Sequence, residues 1–434
     1  MTAVLRGGAG APVIVVGGGP AGAATAWALA REGVEVLVLD RARFPRDKPC
    51  SEYMSPQASR VLAQMGALDA VEGAGAAQLA GMIVRAPGGD RIRGDFAASH
   101  GFHGFRDRGL ALRRRWLDPL LLDAARRAGA RVEEGVRVVA LDRDGFGRVT
   151  GVRTLDARGV ERVRPARLVV GADGLRSVVS RRLGLAGHLP WPRRIAFVAH
   201  YAGVGGVGEH GEMHVEHDGY CGIASVGNGE VNVAVVVPAR LARDAVGDPG
   251  LFLDAWIARR PHLAPRFAGA ARVSRARATG PFAARARSGW APGAALVGDA
   301  ADFFDPFTGE GIYAALRGGE LLAPFAREAA LAPGRAGDRA LQAYDRARRR
   351  EFGGKWAVER LISAAVASPA LMNHAARVLS RRRDMADVLV GVTGDFIPAR
   401  EVLRPGYLLR LLIPPRASGP AAPPADIAPL IADR

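Results

Sequence analysis

Apolar and polar positions along the chain fall into short runs with different periods. Residues 13 to 16, Val-Ile-Val-Val, form a β-branched run bounded by Pro12 and Gly17, the pattern of a strand buried on both faces of a parallel sheet. Residues 20 to 31 are alanine-rich and predict a helix, and Val34 to Leu39 predict a second buried strand ending at Asp40. Two more apolar runs end in turns with an acid: Leu168 to Gly171 leads to Asp173-Gly174 and a helix, and Ala295 to Val297 leads to Gly298-Asp299. Residues 82 to 96 read as strand, turn and strand around Pro87-Gly88-Gly89-Asp90, and residues 194 to 237 continue in strand-like runs ending at Gly229 to Val237. Beyond residue 330 the pattern becomes helical, with Ala, Arg and Leu, until a Pro-rich stretch at 414 to 429 reads as a disordered tail. Buried strands alternating with helices predict an α/β fold, and strands interleaved with them predict a second sheet inserted into the first domain. Three strand ends far apart in sequence can then meet at one sheet edge, where ligands bind.

Composition narrows the class. With 49% hydrophobic and 24% charged residues, the chain is globular, and 434 residues imply roughly two to three domain-sized units. The 60 Lys plus Arg exceed the 43 Asp plus Glu by 17, yet only Lys48 and Lys355 are lysines. Arginine in place of lysine, with abundant Ala and Gly, reads as the coding bias of a GC-rich genome. No basic patch interleaved with aromatics appears, so nucleic acid is not an expected partner. Two cysteines, Cys50 and Cys221, cannot build a disulfide framework, and a cytoplasmic compartment is expected, with membrane association as an addition. Residues 7 to 30 are uncharged and long enough for a signal peptide or a span, but Gly17, Gly18, Gly19, Pro20 and Gly22 at their centre would break such a helix.

The glycines in that stretch carry the first chemistry. Gly17, Gly19 and Gly22 form Gly-x-Gly-x-x-Gly between strand and helix, with Pro20 and Ala21 opening the helix. The first glycine allows the tight turn, the second lets backbone approach a pyrophosphate, and the third lets helix pack on strand. The helix N-terminus offers free N–H groups and a positive dipole end. Asp40, followed by Arg41, lies where a carboxylate can accept hydrogen bonds from an adenosine ribose. Gly203, Gly205 and Gly208 repeat the spacing, but Glu209-His210-Gly211-Glu212 follows where a helix would begin, so a loop is expected there.

The three blocks together resemble FAD-dependent oxidoreductases of the aromatic-hydroxylase-type fold. Within that group the chain most resembles the geranylgeranyl reductase family, through Lys48-Pro49-Cys50-Ser51-Glu52 and Gly298-Asp299-Ala300-Ala301 to Thr308-Gly309-Glu310-Gly311-Ile312-Tyr313. The resemblance implies FAD, held by Gly17, Gly19, Pro20, Ala21, Gly22, Asp40 and Arg41 at the ADP end, with Asp299, after Gly298, on the ribityl chain. Gly309, Glu310, Gly311 and Ile312 match the loop and helix start beside the isoalloxazine, and Asp173 the turn that supports the cofactor. Arg114 matches the arginine that reaches it, with Arg113 and Arg115 as alternatives. The family's matching cysteine makes Cys50 a catalytic candidate, and NAD(P)H a candidate electron donor.

In domain terms, residues 1–80, 101–185 and 281–330 would build a Rossmann-like FAD-binding domain. Residues 81–100 and 186–280 would form the inserted, mainly β substrate domain, which in the family roofs the flavin. Residues 331–413 would form a helical C-terminal region and 414–434 the tail. His210, His214 and His217 among Glu209, Glu212 and Glu216 look like a metal cluster, but strand alternation puts His217 on the face opposite His214 and Glu216, so no metal is expected. His214 remains a catalytic candidate near substrate. Cys221 is expected to pack in a core. The clusters at Arg348 to Arg350 and Arg381 to Arg383 read as a solvated helix face, with a membrane surface or an acidic electron carrier as the sharper alternative.

Two reactions fit the resemblance. Reduced flavin could deliver hydride to an apolar, isoprenoid-like substrate, as in the reductase branch. Alternatively a monooxygenase would hydroxylate an aromatic or polyketide-type substrate through a C4a-hydroperoxyflavin. The first is preferred on the Gly-Glu-Gly-Ile-Tyr and Lys-Pro-Cys blocks, although Tyr220 to Ala224 departs from the aromatic-rich strand of prenyl reductases. A flavin halogenase is not expected, because that family's lysine and Trp-rich motif have no counterpart. A non-enzymatic basic interaction protein is the remote alternative.

Overall fold

The computed structural model describes residues 10–98, 100–245 and 247–413; the Pro-rich tail lies outside the described residues. The apolar runs assemble into one six-stranded sheet in the order Trp290–Ala291, Ala294–Leu296, Leu168–Gly171, Val13–Val16, Val36–Asp40 and Arg131–Glu134. All neighbours are parallel except the first pair. Val13–Val16, Val36–Asp40 and Leu168–Gly171 are buried along their whole lengths, as sheet strands covered on both faces must be. The register sets Val16 beside Gly171 and Gly171 beside Leu296. Three separate turns, at Gly17, at Ala172 to Gly174 and at Gly298-Asp299, therefore emerge side by side from the carboxyl ends of adjacent strands.

Helices Pro20–Ala30 and Gly311–Leu331 pack against each other on one face of this sheet. Their approach is close: a Cβ at Gly319 would lie 2.7 Å from the backbone nitrogen of Thr25. Within residues 101–185 the structure adds an antiparallel three-stranded sheet, Arg137–Arg143, Val149–Leu155 and Glu161–Pro165, whose Val138, Val149 and Val152 cover the opposite face. Its strands carry many charged positions, which hid them from a reading based on apolar runs.

A second, mainly antiparallel sheet runs Ala271–Arg272, Arg194–Ala202, Glu230–Pro238, Gly219–Gly227, His210–Glu216, Gly81–Arg85 and Arg91–Asp95, with Arg277–Thr279 also pairing on Arg194–Ala202. The hairpin of residues 81–95 joins it through a parallel pairing with His210–Glu216. The two faces of this sheet do different work. One presents Cys221, Val233, Val235 and Val237 to Leu253, Trp256 and Ile257 of helix Pro249–Ala258. The other presents Met213, Tyr220 and Val236 to the C-terminal helices, through Val366, Met372, Ala376, Leu379 and Met385. Those helices are Arg335–Ala367, Pro369–Leu379, Arg383–Thr393, Arg400–Leu403 and Pro405–Leu412.

The glycine turn shows how tightly the first strand and helix are joined. A Cβ at Gly22 would sit 1.8 Å from the carbonyl oxygen of Gly17, whereas one at Gly353, inside helix Arg335–Ala367, meets no other atom within 4 Å. Gly22→Ala should cost at least about 2 kcal/mol of unfolding free energy. Gly353→Ala should add about 0.5–1 kcal/mol by restricting the unfolded chain. Denaturant titration of both variants checks the pair.

Candidate functional site

The turns at the sheet edge open into one cleft, holding about 2050 Å³ of space unfilled by atoms, its open mouth included. Gly19, Pro20, Ala21, Cys50, Arg114, Gly298, Asp299, Gly309, Glu310, Gly311 and Ile312 all line it. Gly17, Gly22, Asp40, Arg41, Asp173 and His214 do not.

Gly17 takes φ +104°, and a Cβ there would lie 2.6 Å from the Ala172 carbonyl oxygen, so it shapes the turn from behind. Asp40 is buried, and its carboxylate accepts hydrogen bonds at 2.7 Å from the N–H groups of Gly18 and Ala42, tying the glycine turn to the second strand. Arg41 points to solvent. Asp173 accepts from the Ser177 hydroxyl at 2.5 Å and the Val178 N–H at 2.6 Å, just before helix Val178–Arg182. Its carboxylate braces the strand exit, while Gly174 beside it lines the cleft.

His214 needs a correction. Strand alternation turns Met213 toward the cleft and His214 to the outer face, where Nε2 lies 2.8 Å from Glu212 and the ring lies against His262 at 5.3 Å between centroids. His214 therefore has no access to a substrate in the cleft. His217 lies in the turn after the strand, and His210 pairs with Asp95. Among the described residues no three His, Cys, Asp or Glu side chains converge as for a metal ion.

One end of the cleft is strongly positive. Gly19 caps helix Pro20–Ala30 with no side-chain hydrogen bond and no acid in the first turn. A Cβ on Gly19 would find only the guanidinium groups of Arg114 at 3.4 Å and Arg46 at 3.9 Å. Of the three neighbouring arginines, Arg114 is the one in the cleft: Arg113 is held by Glu230 and Asp47, and Arg115 lies over the Trp116 ring. Arg114 starts helix Arg114–Arg127 and forms a bidentate pair with the fully buried Asp118, at 2.7 and 2.9 Å. Asp118 also holds Arg46 at 2.9 Å. Burial acts to lower the Arg114 pKa, but Asp118 and then Cys50 raise it above the usual arginine value. Lys48 lines the same end, and burial, then Arg114, push its ammonium pKa down against the pull of Asp299. Burial in turn raises the Asp299 carboxyl, opposed by Lys48 and Arg114. This set of cations and free helix N–H groups, with backbone open at Gly19, fits the pyrophosphate of FAD.

The middle of the cleft fits the rest of the cofactor. Gly309 takes φ +73° beneath Tyr53, and Gly311 starts helix Gly311–Leu331, with nothing nearer its Cβ position than the Phe303 ring at 3.7 Å. That helix start is uncapped by any side chain, so its N–H groups face the cleft. The Tyr53 hydroxyl is buried without a partner among the described residues, so it can hydrogen-bond a bound molecule. Cys50 lines the cleft, and its sulfur accepts from the Glu52 N–H at 3.3 Å. Glu52, at φ +63°, is itself fixed by the Arg114 N–H, His200 and Asn232, so the Lys48-to-Glu52 loop is held by three elements.

The far side contains groups that sequence reasoning missed. Helix Arg335–Ala367 turns Phe352, Lys355, Trp356 and Glu359 to the cleft, one helical face at spacings of three and four. Lys355 Nζ pairs with Glu310 at 3.0 Å and with Asp395. Glu359 has no ion-pair or hydrogen-bond partner among the described residues; burial, then Glu310, push its carboxyl well above the ordinary range. The signal was in the composition: the only two lysines of the chain both face this cleft.

Two experiments follow from this geometry. Gly19→Val should fold normally, because its side chain meets only movable guanidinium groups, yet lose FAD because it blocks the pyrophosphate; thermal melting and bound-flavin absorbance check both halves. Glu359 has a raised folded pKa, so the native state holds its proton above the pH at which the unfolded chain releases it, and stability falls as pH rises past the ordinary carboxylate range. Glu359→Gln, which mimics the protonated form, should therefore stabilise the protein near pH 8 and have little effect near pH 4, measured by denaturant unfolding at each pH.

The comparisons with known proteins agree with this site. The profile of a family described as FAD binding domain matches residues 10–361. Menaquinone reductase of Mycobacterium tuberculosis is 33% identical over 343 residues, 72% of this chain and 76% of that protein. Digeranylgeranylglycerophospholipid reductase 1 of Methanopyrus kandleri is 33% identical over 331 residues, 73% of this chain and 80% of the relative. Among solved structures, a myxobacterial chondrochloren halogenase, a variant of FAD-dependent halogenases, superposes with a TM-score of 0.73 at 27% identity, covering 80% of this chain and 81% of its own. With an FAD-binding profile across most of its length and reductases as its sequence relatives, the chain belongs to the FAD-dependent oxidoreductases of the geranylgeranyl reductase family.

Proposed function

We propose that the protein is a reductase that saturates a carbon–carbon double bond in an apolar, isoprenoid-bearing substrate. The observation that carries this reading is a pair of adjoining cavities. The cleft shares Met82, Met213, Phe307 and Thr308 with a second cavity of about 940 Å³, its mouth included, walled by Val84, Ile92, Leu379, Leu389 and Leu411. The second cavity lies between the inner face of the large sheet and the C-terminal helices and is lined almost wholly by hydrocarbon. Such a lining suits a long apolar chain and offers little to a small polar aromatic. The relatives' names, which specify a quinone and a digeranylgeranyl lipid, support the same class.

Bound FAD, reduced by a donor such as NAD(P)H, would supply the two electrons as a hydride equivalent. The chain's own residues then have separate tasks. Phe303, Phe307, Phe352 and Trp356 exclude water around the reacting bond. Glu359, kept in its acid form by burial and Glu310, holds a proton at a carboxyl oxygen facing the cleft and gives it to the second carbon. Lys355, paired with Glu310 and Asp395, holds the neighbouring negative charge in place. Cys50, at the opposite wall, is the competing proton source.

Stopped-flow mixing of the photoreduced holoenzyme with an isoprenoid-bearing quinone in the absence of O₂ tests the reaction. Flavin reoxidation with a product that has gained two hydrogens in its isoprenoid side chain, rather than on the quinone ring, is expected. Reoxidation only with O₂, and a product that has gained one oxygen atom, would establish the monooxygenase reading instead. Under the same conditions Glu359→Gln should lower turnover at least about tenfold with FAD retained, whereas His214→Ala should leave both turnover and flavin content within about twofold of the parent.

A further inference from the structure

The second, apolar cavity opens toward the protein surface. Leu361, Leu408 and Leu411 form its outer wall, and Leu361 is half exposed to solvent. Around this opening, Leu371, Leu409, Leu412 and Ile413 each leave more than half of their surface exposed. These side chains sit on two helices that touch. His374 Nε2 lies 3.0 Å from the Leu411 carbonyl oxygen, and Leu371 is one turn from His374 on helix Pro369–Leu379. Helix Pro405–Leu412 has no buried residue of its own. Besides the His374 contact, it is anchored by the Tyr407 hydroxyl donating to the Met385 carbonyl at 2.9 Å and by an ion pair of Arg410 with Asp384 at 2.7 Å. Its inner side lines the cavity with Tyr407, Leu408 and Leu411, and its outer side shows Leu409, Leu412 and Ile413 to solvent.

The surroundings are basic. From residue 360 to 413 the chain carries eight arginines against four carboxylates. Arg404 and Arg410 point outward on the short helix itself, while Arg377 and Arg381 are exposed with no carboxylate partner among the described residues. A hydrocarbon patch ringed by arginines is complementary to a bilayer with acidic headgroups: leucines enter the acyl boundary while guanidinium groups stay at the phosphates. An apolar cavity that opens inside that patch and adjoins the cleft gives the reason for the location, because a water-insoluble chain leaving the lipid phase would enter hydrocarbon rather than water.

We propose that the face built from helices Pro369–Leu379 and Pro405–Leu412 docks on an anionic lipid bilayer, with the cavity mouth held against the acyl layer. The contact is peripheral, since no described helix is long and apolar enough to cross a membrane. The purpose of the contact rests on the apolar-substrate reading, but docking itself is measured without substrate, so failure of one leaves the other standing.

Flotation of the FAD-loaded full chain with vesicles provides the test. Vesicles of equal parts phosphatidylglycerol and phosphatidylcholine should carry the protein, and pure phosphatidylcholine vesicles should carry far less. Raised salt should weaken binding. The double variant Leu409→Glu/Leu412→Glu should bind the anionic vesicles at least about tenfold more weakly with bound flavin and melting temperature unchanged, since both side chains are outside every packed cluster. Arg377→Gln/Arg381→Gln, which leaves the apolar residues intact, should lose the preference for anionic lipid. Equal flotation of parent and Leu409→Glu/Leu412→Glu would overturn the proposal. So would light scattering showing the parent as a dimer that this variant converts to a monomer, which would assign the patch to a second copy of the chain.

Discussion

Positive charge held away from bulk water at the end of the central sheet is the constraint on which the site depends. Arg46, Lys48 and Arg114 surround the start of helix Pro20–Ala30, and Asp118 pairs with only two of them. Removing such groups from water is costly unless their charge is met, and a single carboxylate does not meet it. An anionic ligand with several oxygen acceptors would complete the set, and a pyrophosphate fits that need. The elements around it keep the cations in position: Asp118 from the next helix, Asp299 from a neighbouring strand end, and the Lys48-to-Glu52 loop pinned by Arg114, His200 and Asn232.

Away from that anchor the cleft changes chemistry. Besides the anchor, its wall offers backbone N–H groups at Gly311, aromatic rings and the Lys355, Glu310 and Glu359 group, and the adjoining cavity offers hydrocarbon alone. Both sheets serve this arrangement. The parallel sheet supplies the strand ends that hold charge, and the inner face of the antiparallel sheet supplies Met82, Met213 and Tyr220, with the C-terminal helices as the opposing wall. The same helices carry the basic, apolar outer surface, so the two features that set this chain apart from a bare nucleotide-binding fold share one structural region.

Much of the fold was legible because buried parallel strands are short apolar runs and their exits need glycine or a turn acid. The strands at 13–16, 36–40 and 168–171 follow those runs closely. The three-stranded sheet within 137–165 was not legible, since its outward positions are charged and its inward ones too sparse to form a run. At the site, glycines with positional demands were readable, whereas side chains brought together from distant elements were not. Asp40 and Asp173 show the limit: each has the residue type and place of a ligand-binding carboxylate, yet in this structure Asp40 accepts from the Gly18 and Ala42 N–H groups and Asp173 from the start of the helix that follows it. Lys355 and Glu359 sit on a long helix whose sequence shows no motif, and only the scarcity of lysine marked Lys355. Arginine would place a broad planar fork there in place of a compact ammonium group, so the two are not interchangeable at such a site.

The central claim is that the cations and the Gly19 turn recognise phosphate, and that this recognition holds the flavin. Titration of the apoprotein with FAD and, separately, with riboflavin at several salt concentrations tests that contribution, because the two share the isoalloxazine and ribityl chain and the salt-dependent part of their difference belongs to the pyrophosphate. The structure predicts that FAD binds at least about a hundredfold more tightly, with the difference shrinking as salt is raised. Equal affinities for the two flavins, or a preference insensitive to salt, would contradict it.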